Sequence, residues 1–140
     1  METAPKNNVQ EGKPRPSLLP MDVLIKHVCP AYSEGVLKYE RESWRKGFLV
    51  SNMIDAAYRH ISAFYHGGED YDPDAEKHGV KKHHLAGAIF SLLSILHTMD
   101  TRPELDDRPK LTHIAENGST DKATDGHPIV GDHLPFTWMG

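Results

Sequence analysis

The segment from Lys82 to Met99 constrains this chain more than any other stretch. Leu85, Ala88, Ile89, Leu92, Leu93, Ile95 and Leu96 cover most of the circumference of a helix. A helix apolar on so many sides predicts a central position, with Leu85, Ile89, Leu92 and Leu96 among its most buried residues. One polar stripe interrupts that surface. His84, Ser91 and Thr98 recur at heptad spacing on one face, with Gly87 between them.

Two further helical regions precede it. From Met21 to Tyr39, Val23, Leu24, His27, Val28, Tyr32 and Val36 follow a rough 3.6-residue period, and Pro30 is expected to kink or split the helix. From about Ser51 to Tyr65, Ile54, Ala57, Ile61 and Phe64 form an apolar stripe that Gly67-Gly68 should end. The fold class read from these patterns is all-α: a small bundle of three main helices. Residues 1–16 have almost no apolar side chains and predict a disordered arm. Residues 17–99 form the helical core domain. Residues 100–140, rich in Asp, Pro, Gly and Thr, predict an irregular tail with a short helix near 103–107.

A core of about 80 residues lies near the lower limit for independent stability, so a homodimer or higher oligomer is expected, with the apolar His133–Met139 segment as a docking element. The net charge of −4 provides no basic field for nucleic acid. No apolar run reaches the ~20 residues of a membrane span, and a single cysteine, Cys29, suits the reducing cytoplasm.

The polar chemistry is concentrated in three places. Lys38, Arg41, Arg45 and Lys46 can hold phosphates, or can form a solvated face neutralised by Glu40 and Glu42, with Trp44 as a base-stacking or packing residue. Asp55, Arg59 and His60 can bind Mg²⁺ or position water, or can be an intrahelical ion pair beside a buried histidine. The acidic stretch Glu69–Glu76 fails as an EF-hand, because Ala75 replaces the glycine and Lys81 the final glutamate, yet it can supply one or two Mg²⁺ ligands. His78, His83 and His84 lack the cysteine partners of a structural zinc site, and no HExxH, GxGxxG, P-loop or GxSxG is present.

In order, the segments RPSLLP, LKYERESWRKG, DAAYRHISAFYHGGEDYD and HHLAGAIFSLL resemble a small, mostly phage-encoded family described as dATP/dGTP diphosphohydrolase, N-terminal domain. The resemblance spans about residues 15–98. Its matching positions are Lys38, Tyr39, Trp44, Arg45, Gly47, Asp55, Ala56, Arg59, His60, Glu69, Asp72, His84 and Leu85. Gly87 stands where the family pattern has a second histidine, and Ser91 where it has an asparagine. The all-α MazG-type pyrophosphohydrolases offer an analogy of architecture only.

The resemblance implies Mg²⁺-dependent hydrolysis, with Mn²⁺ as the other candidate metal, of a purine nucleoside triphosphate in phage nucleotide-pool control. Asp55, Glu69 and Asp72 would hold metal. Lys38, Arg45 and Arg59 would bind phosphate, Trp44 would pack on the base, and His60 and His84 would act on water or substrate. The competing reading is a non-catalytic nucleotide binder or an oligomeric interaction module, which Gly87 and Ser91 favour.

Overall fold

A computed structural model of the chain describes residues 2–5 and 12–110. The expected docking segment His133–Met139 and the tail beyond residue 110 lie outside the described residues. Helices, short 3-10 turns and one isolated bridge make up the regular structure of the described residues, so the all-α expectation holds.

The first helical rod comprises α1 (Met21–Val23), a π turn (Leu24–Val28) and α2 (Cys29–Lys38), in direct succession. Pro30 lies in the first turn of α2. It cannot donate a backbone hydrogen bond and its ring crowds the preceding turn, and the wider π turn accommodates both defects. Helix α3 (Val50–Tyr65) and helix α5 (His84–Thr101) form the main helix pair. Phe64 lies against His83 at one end, and the Phe48 N–H donates to Thr98 Oγ1 (3.2 Å) at the other, so the two helices run antiparallel. On another flank of α5, Tyr32 of α2 meets Phe90 edge-on with ring centroids 4.9 Å apart.

Helix α5 is central, as its composition predicts, but it faces its neighbours the other way round. Leu85 is 38% exposed, Ile89 39%, Leu92 45% and Leu96 62%. The buried positions are His84, Ala86, Gly87, Ala88, Ser91, Ser94 and Thr98. The physical reason is size. Helices that approach closely need small residues between them, and only this strip of α5 provides them. Leu85, Ile89, Leu92 and Leu96 therefore lie on the opposite face, while Phe90 packs against Tyr32 on the flank.

Two local devices shape the rest. Between α3 and α5 the chain folds back on itself: the Asp72 N–H donates to Lys82 O (2.8 Å) and the His84 N–H to Asp70 O (2.8 Å), flanking a Tyr71–His83 bridge. Within this loop the four-residue helix α4 (Pro73–Glu76) buries Ala75 completely. Past α5, a 3-10 turn at Pro103–Leu105 returns the chain to the start of α3. Asp107 there accepts from the Ser51 N–H (2.8 Å) and the Ser51 hydroxyl (2.5 Å). It supplies the anionic cap that α3 lacks from its own N-cap residue, Leu49.

Candidate functional site

The small-residue face of α5 forms the floor of an open groove of about 1230 Å³ between the α1–α2 rod and α3. Glu34, His60, Lys82, Gly87 and Ser91 line its floor and walls, together with Lys38, Trp44 and Arg59.

His60 comes from the face of α3 turned toward α5, and His84 from the first turn of α5. Their Nδ1 atoms are 3.0 Å apart. His84 Nε2 is 2.9 Å from Glu69 Oε1, and a carboxylate can only accept, so His84 carries its proton on Nε2. His84 Nδ1 is then the acceptor and His60 Nδ1 the donor, which leaves a lone pair on His60 Nε2. Burial first, and then the nearby Lys82 charge, pull the His60 pKa down from 6.5 to about 4, so the ring is neutral at physiological pH.

Gly87 explains how that ring is seated. A Cβ at position 87 would stand 2.6 Å from His60 Nε2 and 2.7 Å from its Cε1, closer than packed atoms approach. The glycine is thus a requirement of the neighbouring histidine's position. Ser91 donates its hydroxyl to Gly87 O (3.2 Å) and so satisfies itself within α5. The expected His84–Ser91–Thr98 stripe is buried, but His84 takes its partners from α3 and the loop.

Asp72 completes the cluster. It is buried, and its Oδ1 caps α4 by accepting from the Asp74 N–H (2.9 Å). Burial raises its pKa, but the Asp74 hydrogen bond and the Lys82 charge outweigh that and hold it below the usual carboxylate value. Ligand atoms of His60, Asp72 and His84 all lie within 4.8 Å of one another. Cis ligands of one ion at about 2.1 Å stand about 3 Å apart, so the 3.0 Å imidazole pair fits a shared divalent cation as well as a hydrogen bond. Two imidazoles and a carboxylate suit Mn²⁺, Zn²⁺ and their neighbours better than Mg²⁺, which prefers oxygen.

Two residues that were not singled out in the sequence complete the network. Lys82 Nζ bonds Glu34 Oε1 (2.6 Å) and lies 3.3 Å from Asp72 Oδ2, and all three residues are buried. Lys38 stands 3.7 Å from Glu34 Oε2. The one sequence signal for Glu34 is a carboxylate set among Ala31, Tyr32, Val36 and Leu37 of α2. Lys82 gives no signal beyond its place two residues before His84.

The other expected site residues divide. Glu69 joins the cluster through His84. Lys38, Arg59 and Trp44 line the groove. Trp44 is held edge-on by Tyr32 and His97. Arg45 is not part of the groove lining; it bonds Glu42 (2.9 Å) and lies 4.3 Å over the Trp44 ring. Asp55 is exposed on α3 and stands outside the cluster. The acidic side chains of Asp70, Asp74 and Glu76 are also exposed, with Asp74 paired to Lys77 (3.3 Å).

Residues 3–108 match the family model for dATP/dGTP diphosphohydrolase, N-terminal. The chain belongs to this family. The match covers the described helical body and all the clustered residues, and the family description is that of an N-terminal domain. No curated protein and no solved structure matches the chain. Among the described residues no helix is long and apolar enough to cross a membrane.

Proposed function

We propose that the groove binds a purine nucleoside triphosphate and hydrolyses it with the help of a divalent cation held by His60, Asp72 and His84. The observation that carries this reading is the convergence of those three groups within 4.8 Å at a groove that also presents Lys38, Arg59 and Lys82. The family description supports a dATP or dGTP substrate and a diphosphohydrolase outcome. In that reaction water forms a bond to the α-phosphorus, the α–β bridging bond breaks, and pyrophosphate leaves with the nucleoside monophosphate as the other product.

When bound, the cation would polarise the phosphoryl oxygen and acidify water. The chain's own residues do the rest. Glu69 fixes the His84 tautomer, as carboxylates commonly do for metal-binding imidazoles. Lys38, Arg59 and Lys82 offset charge on the phosphates. Trp44 presents an aromatic surface to the base. The donor set favours Mn²⁺ over the Mg²⁺ expected from the carboxylates alone, because two of its three members are imidazoles. A phage origin, action in the host cytoplasm and a homo-oligomeric state belong to the same proposal.

One observation favours a second reading. Lys82 already neutralises Asp72, so the groove can hold a nucleotide as a metal-free binder. Following dGTP and dATP by ³¹P NMR with and without Mn²⁺ separates the two. Pyrophosphate appearing only with metal supports the hydrolase. Saturable nucleotide binding with no product in any metal supports the binder.

A further inference from the structure

The outer face of α5 has no partner in the groove's chemistry. Leu85, Ile89, Leu92 and Leu96 succeed one another at spacings of four, three and four residues, and each is at least 38% exposed. Leu93 flanks them. From His83 to Met99 there is no Asp, Glu, Lys or Arg, in a chain that is 26% charged. A surface helix is normally protected by charged residues, and a long uncharged leucine ridge is not a stable solvent face.

The neighbouring helix extends the patch. Ile61 and Tyr65 of α3 are exposed and lie on the flank of α3 away from Arg59, which faces the groove. The interior is correspondingly thin. No apolar residue among the buried described residues is larger than valine, and the largest fully buried side chains are Thr98 and Ser94. The fold keeps small residues fully buried and leaves many of its large apolar side chains exposed.

We propose that this face is covered by a second copy of the chain. Helix α5 packs on its counterpart across a two-fold axis, with the α3 helices alongside, to make a four-helix core. A second copy fits because the ridge is self-complementary. The four-three-four spacing is that of a coiled-coil seam, in which identical knobs fill identical holes, and an isologous dimer buries one patch against itself. The absence of charge leaves nothing for an acidic or basic partner to recognise. The ridge is on the side of α5 opposite the groove floor, so pairing leaves both grooves open.

Sedimentation equilibrium on the full chain, from low to high micromolar concentration, tests this. The wild type should weigh twice its 15.7 kDa, or an even multiple. Leu92→Glu and the milder Leu96→Glu should each shift it to monomer at the same concentration while helical circular dichroism is retained. Leu37→Glu, at a 60% exposed position of α2 off this face, should leave the mass unchanged. A wild-type monomer throughout, as when another segment of the same chain covers the ridge, overturns the proposal. So does an assembly that survives both ridge substitutions.

Discussion

The two sides of α5 obey different rules. Toward α3 and the groove it presents small residues, with Gly87 and Ser91 on the groove floor and Ser94 and Thr98 buried beyond them. Toward the outside it presents Leu85, Ile89, Leu92 and Leu96, which are exposed. Hydropathy alone would exchange the two. Close approach selected small residues for the interior, and the space they leave admits the imidazole of His60 and the groove above it. In this fold, side-chain volume decides which face of the central helix turns inward, and the apolar side is left for another surface.

Substitutions on each side sharpen that contrast. The largest effect is expected at Lys82, the cation shared by two buried carboxylates. Lys82→Met should lower unfolding free energy by about 3–5 kcal/mol in urea titration, because Glu34 and Asp72 lose their counter-charge. Adding Glu34→Gln should recover part of the loss. A Lys82→Met protein as stable as wild type would mean that the pair does not form.

Next, Gly87→Leu should cost about 1–3 kcal/mol by overpacking against His60. It should also abolish metal binding measured by calorimetry, since the imidazole must leave its seat. A fully stable Gly87→Leu protein with intact Mn²⁺ affinity would break the assignment of the groove side.

A smaller effect comes from acid. His60 titrates near 4 in the fold and near 6.5 in the unfolded chain, so between those values the unfolded state binds more protons. The metal-free protein should therefore hold this contribution above about pH 6.5 and lose it as the pH falls toward 4, by about 1–2 kcal/mol after allowing for partial solvent screening of the ring. In His60→Gln the stability difference between pH 7 and pH 4.5 should shrink by that amount; an unchanged difference would place the pH sensitivity elsewhere.

The smallest effect belongs to the outer face. In the dissociated protomer, Leu92→Ser should cost less than about 1 kcal/mol, where a fully buried leucine would cost about 2–5 when truncated. A loss of that larger size at high dilution would show that Leu92 is core after all.

Much of the helical layout was legible in the sequence. The α3 stripe and the glycines after it place that helix within a residue of its observed start. Helix α5 begins at His84 rather than Lys82 because the His83 ring accepts from the Leu85 N–H and acts as the cap. Of the candidate site, His60, Glu69, Asp72 and His84 were legible because local motifs carry them. Glu34 and Lys82 were not, since a buried ion pair across 48 positions leaves no local pattern. Asp55 shows the converse: its helical spacing to Arg59 suggests a functional pair, yet it lies exposed on α3 outside the cluster.

The most direct measurement is ³¹P NMR of dGTP with the full chain and Mn²⁺, comparing wild type with Asp72→Asn and His84→Gln, each checked for retained helical structure. We expect wild type to release pyrophosphate only when the metal is present, and both variants to lose activity by at least about two orders of magnitude, because a carboxylate or imidazole ligand has no neutral amide substitute. Metal-independent hydrolysis, or turnover unchanged in both variants, would contradict the assignment of His60, Asp72 and His84 as the working centre.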